Sequence, residues 1–278
     1  MSSISSIGVV VPSSELEGFR GPFVGAPLQG ATSVISAASL QPVLLMLDDR
    51  GPDPLVRYLS SGRVEAAVVI LLHETERLYR SLQEVSCPVV YVGRSGTDLG
   101  PESCWVDGDN YAGGRLAART LIEAGRRRLV CITGPSGYLP ADRRLEGFRD
   151  ELENWGLSPL AVAHSEFSMQ PGSMAMANLM RQTENVDGLF AASDLIAVGA
   201  IRVLNASGRQ IPHDVSVVGF DDTVVAATSV PALTSVRQPL REMGVRAAEL
   251  AIEALSDGGS PALRQIELPV TLTLRDSV

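Results

Sequence analysis

The chain has 278 residues, 45% of them hydrophobic and 20% charged, which is typical of a globular protein with one large domain or two medium ones. Its formal net charge is −9 and its pI about 4.9, which argues against this chain alone gripping a nucleic-acid backbone. All 23 basic residues are arginine, so Schiff-base chemistry and a P-loop lysine are excluded.

The cysteines and the apolar runs indicate the compartment. Cys87, Cys104 and Cys131 are an odd, sparse set, which predicts no disulfide framework and suits a reducing cytosol. The first residues have neither a basic region nor a long apolar stretch, so no secretory signal is predicted. No apolar run reaches about 18 residues, so no membrane span is predicted either.

Short β-branched runs alternate with amphipathic segments along the chain. The predicted strands are residues 7–11, 43–47, 66–71, 88–92, 129–133, 162–164, 189–192, 215–219 and 265–269. The predicted helices are residues 53–61, 74–85, 112–124, 143–154, 172–182, 195–207 and 240–255. This alternation predicts βαβ units and parallel sheets. Two similar series, with a break near residues 106–110, predict two doubly wound α/β lobes.

The least regular segment is residues 17–30, which contains four glycines and two prolines. These residues weaken any helix. Because the segment directly follows the first strand, two interpretations stay open. It forms either a loop that lines a cleft or a structural turn into the first helix.

Two apolar strands each deliver a carboxylate just past their carboxyl end, Asp194 and Asp221. In open α/β sheets that edge is where ligands bind. A structural alternative remains for the first one, since either Ser193 or Asp194 could simply cap the following helix. Asp222 is expected at the surface, and the alternative is that it starts a turn.

Ten motifs follow one another in the order found in one known family. They are residues 7–12, 58–70, 87–94, 106–110, 134–135, 143–148, 187–194, 211–222, 231–239 and 267–277. Together they resemble the effector-binding domain of lactose-repressor-type (LacI/GalR) transcription regulators. Each motif is weak alone, but their order covers nearly the whole chain.

The resemblance implies a periplasmic-binding-protein type I fold, with two doubly wound parallel-sheet lobes joined by a multi-stranded hinge. The N-terminal lobe would comprise residues 1–106 and 238–262, and the C-terminal lobe residues 107–237 and 263–278. It also implies a cytoplasmic homodimer whose lobes close around a small polar effector, a sugar or a nucleoside. Operator DNA would be bound only through a helix-turn-helix headpiece, and no cofactor is expected.

Only six residues precede the first predicted strand, so this chain does not contain the headpiece of the family. Either the headpiece was trimmed from a longer protein, which we favour, or the chain is a natural stand-alone sensor. The alternative function is a sugar-binding protein of the same fold that serves transport.

The resemblance also implies a set of ligand-binding residues. Arg144 and Asp221 match the positions that hold the effector, Ser193 and Asp194 a second polar pair, and Phe167 an aromatic cap; Ser13 and Phe19 are contacts from the first lobe, and Gln238 contacts the ligand or only the hinge. Carboxylates accept hydroxyl hydrogen bonds, a guanidinium donates several in one plane, and an aromatic ring covers a sugar or stacks on a base. Phe167 could equally be a plain core residue.

Enzyme chemistry finds little support in the sequence. No Gly-x-Gly-x-x-Gly follows a strand, and no Gly-x-Ser-x-Gly is present. His73, His164 and His213 are scattered and lack the spacing of metal ligands. We therefore predict a binding protein without catalytic activity and without a metal site.

Overall fold

A computed structural model of the chain describes residues 5–13, 22–47, 51–70, 76–94, 103–256 and 264–278. Contacts divide the chain into two compact units. The first unit is Met1–Gly108 with Pro239–Leu268, and the second unit is Asp109–Gln238 with Pro269–Val278. The chain therefore passes from one unit to the other three times.

The described secondary structure alternates strand and helix almost throughout. The strands are β1 (Ser6–Pro12), β2 (Gln41–Leu47), β3 (Ala66–Ile70), β4 (Val89–Val92), β5 (Cys104–Gly108), β6 (Leu129–Thr133), β7 (Ala161–His164), β8 (Gly188–Ala191), β9 (Ser216–Asp221), β10 (Thr234–Arg237), β11 (Gln265–Leu268) and β12 (Thr271–Thr273). The helices are α1 (Pro22–Ala37), α2 (Asp53–Leu59), α3 (Glu76–Gln83), α4 (Asn110–Glu123), α5 (Leu139–Asn154), α6 (Met169–Gln182), α7 (Asp194–Ala206), α8 (Val224–Thr228) and α9 (Leu240–Ser256).

The sheets of the two units have the same topology. In the described parts of the chain, the first unit has the strand order β11-β5-β4-β3-β1-β2 and the second unit the order β12-β10-β9-β8-β6-β7. Neighbouring strands are parallel, except that β12 runs antiparallel to β10. Thus β1 to β5 correspond to β6 to β10, and the predicted fold of two parallel-sheet lobes is confirmed.

Helices α4 and α5 of the second unit cross with their backbones in contact. A Cβ atom on Gly114 would lie 2.0 Å from the carbonyl oxygen of Arg144. A Cβ atom on Gly147 would lie 2.0 Å from the carbonyl oxygen of Tyr111. Because neither position has room for a side chain, these two glycines fix the backbone of Arg144 against α4.

Helices α1 and α9 of the first unit repeat this crossing. A Cβ on Gly30 would lie 2.1 Å from the carbonyl oxygen of Arg241, and one on Gly244 would lie 2.0 Å from that of Pro27. Gly30 therefore corresponds to Gly147, and Gly244 to Gly114. By the same correspondence, Pro27 occupies the position that Arg144 holds in the second unit.

The match between α4 and α9 extends into the strands before them. Helix α4 begins two residues after the end of β5 and helix α9 three residues after the end of β10, and the two segments align without a gap. Aligning Gly114 with Gly244 therefore aligns Val106 of β5 with Val236 of β10. This alignment allows each side chain of one sheet edge to be compared with its counterpart in the other.

The segment 17–30 is largely not a loop. Residues 14–21 lie outside the described residues, but α1 already begins at Pro22, so the second half of the predicted loop is helix. The pattern misled because Gly30 is there for the close approach of α9. Pro22 is the first residue of the helix, where a proline is tolerated, whereas Pro27 lies inside the helix.

Three further strands, β5, β10 and β12, were not predicted, and the unit boundaries differ from those expected. Residues 265–268 were placed in the C-terminal lobe, yet β11 pairs with β5 in the sheet of the first unit. A strand adds to whichever sheet edge its backbone reaches, which hydropathy does not reveal. In the described parts of the chain, no helix is both long enough and apolar enough to span a bilayer.

Candidate functional site

Three of the predicted ligand-binding residues meet in the second unit at the carboxyl ends of the strands. Arg144 lies on α5, Asp221 ends β9, and Gln238 follows β10. Their exposed fractions are only 6%, 5% and 9%. A buried arginine and a buried aspartate need compensating partners, so their contacts decide what the group can do.

Arg144 is held from several directions. Its Nε donates to Asn110 Oδ1 at 2.7 Å, and its Nη1 donates to the carbonyl oxygen of Ala192 at 2.6 Å. The guanidinium carbon lies 3.8 Å from the ring centroid of Phe220. Within the described part of the chain, Nη2 donates to no acceptor. Arg144 is thus fixed in place with one donor nitrogen still open.

Asp221 has the complementary arrangement. Its Oδ1 accepts from Gln238 Nε2 at 2.7 Å and lies 3.7 Å from Arg144 Nη1. Oδ2 meets no donor among the residues that the structure describes. Burial raises the pKa of Asp221 well above its ordinary value, against the opposing effect of the Arg144 charge. A buried carboxyl with an unused oxygen gains from any ligand that donates to it.

The backbone at Asp221 is unusual and identifies a specialised position. Asp221 has φ +105°, in a region that L side chains rarely adopt. In the aligned sheets Phe220 corresponds to Val92, so Asp221 corresponds to Gly93, whose φ is +83°. The first unit fills this left-handed position with glycine. The second unit places an aspartate there, and such strain clusters at functional sites.

Ser193 and Asp194 occupy the start of α7 in different roles. Ser193 Oγ accepts from the N–H of Ile196 at 3.3 Å, so Ser193 is the N-cap. The bond uses a lone pair and leaves the hydroxyl proton without an acceptor among the described residues. Of the two capping alternatives, the structure therefore favours Ser193.

Asp194 is fully buried, with 0% of its surface exposed. Its Oδ2 accepts from the N–H of Thr223 at 2.7 Å and from Thr223 Oγ1 at 2.9 Å. Its Oδ1 accepts from Ser235 Oγ at 2.6 Å. Burial raises the pKa of Asp194 to about 6, despite the lowering effect of these three hydrogen bonds.

The expectation that Asp222 lies at the surface is wrong. Only 3% of its side chain is exposed, and it bridges to Arg237 and Arg275 at 2.5 Å each. Thr273 Oγ1 donates to it at 2.9 Å. Burial alone would raise the pKa of Asp222, but the hydrogen bonds from these three residues outweigh it and lower the pKa. The carboxylate ties β10 to the segment around β12.

The remaining predicted contacts are the aromatic residue Phe167 and two residues of the first unit, Ser13 and Phe19. Phe167 is half-buried and packs edge-on against Tyr138, with ring centroids 5.5 Å apart. A Cβ on Gly134 would lie 2.3 Å from its ring, so the glycine makes room for it. Ser13 is half-buried and directly follows β1 in the first unit. Phe19 lies outside the described residues.

Metal binding finds no support in the described parts of the chain, which contain no cluster of histidine, cysteine, aspartate or glutamate able to hold an ion. His164 Nδ1 lies 3.1 Å from the carbonyl oxygen of Gly134, and His213 contacts Asp214 at the surface. His73 lies outside the described residues.

Sequence reasoning missed three residues of this site. Asn110, which holds Arg144, is a buried polar residue at the start of α4, two residues after the end of β5, and that position could have identified it. Thr223 and Ser235 hold Asp194, but nothing in their local sequence distinguishes them from ordinary turn and strand residues.

Comparisons with known proteins place this geometry in a family. Residues 118–278 match the model of the periplasmic binding protein-like domain. The chain is 34% identical over 275 residues to the HTH-type transcriptional regulator CelR of Thermobifida fusca, covering 98% of this chain and 81% of that protein. It is 30% identical to the ribose operon repressor of Escherichia coli K12, covering 78% of this chain and 66% of that protein.

Solved structures agree. A complex of the transcriptional regulator CelR with cellobiose has a TM-score of 0.89 at 33% identity, covering 100% of this chain and 86% of that one. A LacI family regulator from Mycobacterium smegmatis has a TM-score of 0.82 at 28% identity, covering 98% and 99%. These relatives are regulators of transcription, in agreement with the prediction that the chain is not an enzyme. The chain belongs to the LacI family of transcription regulators.

Proposed function

We propose that the chain is the effector-sensing part of a repressor and that the second unit binds a small polyhydroxylated metabolite, a sugar or a nucleoside. The observation that carries this proposal is the open pair formed by Arg144 Nη2 and Asp221 Oδ2. Among the residues that the structure describes, the first meets no acceptor and the second no donor, and both belong to buried side chains that are already held in place.

Hydroxyl groups fit this pair well because each can donate to the carboxylate and accept from the guanidinium. Charge-assisted hydrogen bonds of this kind are about twice as strong as neutral ones. Arg144 and Asp221 are rigid before the ligand arrives, so little conformational entropy is lost on binding. A site left unpaired in this way also rejects ligands that lack hydroxyl groups.

The surrounding residues extend the proposed contacts. Ser193 offers its hydroxyl proton close to Arg144, because the carbonyl oxygen of the preceding residue, Ala192, accepts a hydrogen bond from the guanidinium. The half-buried ring of Phe167 is the proposed apolar cover for the ligand. Ser13 and Phe19 remain predicted contacts from the first unit.

The regulator would act in the cytoplasm as a homodimer. Effector binding would change operator affinity only by favouring one of two states of the protein. DNA contact would come from a headpiece, since a chain with net charge −9 is unsuited to it. The cellobiose complex of CelR makes a β-linked disaccharide the first ligand to try.

Titration calorimetry with cellobiose, ribose and adenosine tests the proposal. We expect one of these to bind the wild-type chain, and Arg144→Ala to weaken that ligand by at least about 30-fold, which corresponds to about 2 kcal/mol. Arg143→Ala is the matched control, because Arg143 is 38% exposed and pairs with Glu146. Equal losses in both variants, or no binding of any of the three, would contradict the proposal.

A further inference from the structure

We infer that Asp194 is a positioning residue: it holds the turn of residues 221–223 in the left-handed backbone that presents Asp221, and it does not itself contact the effector. The inference rests on the proposed function of Asp221 as an effector ligand. It replaces the direct contact that the family resemblance implies for Asp194.

The carboxylate of Asp194 already accepts hydrogen bonds at both of its oxygens. Two donors of Thr223 occupy Oδ2, and Ser235 Oγ occupies Oδ1, all within 2.9 Å. The residue is 0% exposed. Burial thus keeps a ligand from Asp194 unless the surrounding side chains move, whereas Asp221 has an oxygen that meets no donor among the described residues.

The donors to Asp194 lie on the turn that follows Asp221 or are bonded to it. Thr223 is two residues after Asp221, and its N–H is bonded directly to Asp194. Ser235 Oγ also accepts from the N–H of Asp222 at 3.0 Å, so Asp194 orients Ser235 and Ser235 holds Asp222. Asp194 thus holds two consecutive amides immediately after the strained residue.

The glycine at position 219 makes room for this carboxylate. A Cβ on Gly219 would lie 2.6 Å from Asp194 Oδ1. The aligned residue in the first unit is Tyr91, a side chain that packs against Tyr79 with ring centroids 5.0 Å apart. The first unit thus has a large side chain at the aligned position and glycine at the left-handed one. The second unit has glycine at the aligned position, which leaves room for the Asp194 carboxylate next to the turn that presents the strained aspartate.

A buried carboxylate close to Asp221 also has an electrostatic effect. The charge of Asp194 raises the pKa of Asp221, after burial and against Arg144. Asp222, on the same turn, in turn raises the pKa of Asp194. Asp194 and the two aspartates of the turn repel one another, and the hydrogen bonds from Thr223 and Ser235 to Asp194 oppose that repulsion.

Amide hydrogen exchange of the unliganded chain tests the positioning directly. We expect Asp194→Ala to speed exchange at Asp222 and Thr223 by at least about tenfold, because both amides lose their restraint. Asp194→Asn should recover part of the protection, since its side-chain oxygen still accepts from Thr223 while its nitrogen cannot accept from Ser235. Leu204→Ala is the control, because it weakens the core about 15 Å away at the other end of α7.

Calorimetry with the one of cellobiose, ribose and adenosine that binds the wild-type chain then links the turn to binding. We expect wild type and Leu204→Ala to bind the ligand most tightly, Asp194→Asn more weakly, and Asp194→Ala most weakly. The dissociation constants of wild type and Asp194→Ala should differ by at least about tenfold. A role confined to stability would make Leu204→Ala and Asp194→Ala equally weak binders. That result, or unchanged exchange at Asp222 and Thr223 in Asp194→Ala, would overturn the inference.

The two proposals fail in different ways. If the wild-type chain binds no cellobiose, ribose or adenosine, the proposed function fails, and the exchange rates alone decide whether Asp194 holds the turn. If a ligand binds and Arg144→Ala abolishes its binding while Asp194→Ala does not weaken it, the proposed function stands and the positioning role is wrong.

Discussion

The two units share one topology and one kind of helix crossing, yet they differ where their strands end. At aligned positions the first unit has Pro27 and Gly93, and the second has Arg144 and Asp221. The first pair is apolar or flexible, as the local backbone requires. The second pair is charged, buried and, at Asp221, strained. Since the same fold forms without these charges, the fold does not explain them.

Asp222, unlike Asp221, has a charged counterpart in the first unit. Its aligned residue is Arg94, which lies between Asp107 at 2.9 Å and Glu267 at 2.6 Å. Asp222 lies between Arg237 and Arg275 at 2.5 Å each. Each unit thus has a charge triad at the same sheet edge, with every sign reversed. A structural link needs only opposite charges, so the triad belongs to the fold, while its neighbour Asp221 belongs to the site.

The sharpest test of this comparison copies the first unit into the second. Asp221→Gly should lose effector affinity by about 30- to 1000-fold, because about 2–4 kcal/mol of charge-assisted hydrogen bonding disappears. Its folding free energy should stay within about 1 kcal/mol of wild type, since relief of strain and of carboxylate burial offsets the lost contact with Arg144. Calorimetry and urea denaturation measure the two quantities. A variant that still binds would remove Asp221 from the site.

Disrupting the helix crossing should lower the free energy of unfolding by about the same amount in the two units. Gly147→Ala and Gly30→Ala each place a Cβ within 2.1 Å of a carbonyl oxygen of the partner helix, so we expect a loss of about 3 kcal/mol from either. Only Gly147→Ala should also weaken effector binding, because it displaces the helix that bears Arg144. Urea denaturation and calorimetry check both effects. Weaker binding in Gly30→Ala would show that the comparison fails.

The pH dependence of stability distinguishes the buried carboxylate from the exposed ones. The folded-state pKa of Asp194 is about 6 against an ordinary value of 3.8, so the folded state holds the proton more tightly. The contribution of Asp194 to the free energy of unfolding is therefore fully present below about pH 4. As the pH rises through 6, about 3 kcal/mol of this contribution is lost. Asp221, whose pKa is also raised, adds a slope of the same sign. Urea denaturation at pH 4 to 7 should show a smaller decline in Asp194→Asn than in wild type.

The chemistry of the buried side chains explains how much of the fold could be predicted from the sequence. Alternating apolar runs predicted the parallel sheets because their strands are buried by apolar side chains. Strand β10 escaped because Thr234 and Ser235 are 0% exposed, and their hydroxyls are satisfied by Arg275 and Asp194. Polar residues of this kind indicate a loop unless their distant partners are known.

The site shows the same limit. Family resemblance pointed to Arg144 and Asp221, and the structure brings them within 3.7 Å of each other. It separated Asp221 from Asp222 by position alone and gave no sign of the ion pairs that bury Asp222. In the structure, their partners and the backbone dihedral angles distinguish the two aspartates.

The charge triads provide the smallest expected effect. Asp222→Asn and Arg94→Gln should each lower stability by about 1–2 kcal/mol, because each removes one charge from a pair of ion pairs whose arginines are partly exposed. Because the folded-state pKa of Asp222 is depressed, its contribution is present above about pH 4 and lost as pH falls. Asp222→Asn should therefore lose less stability than wild type on acidification, and neither variant should change effector affinity. An affinity loss in Asp222→Asn as large as that of Asp221→Gly would mean that the sign-reversed triads are not equivalent, and that both aspartates serve the effector.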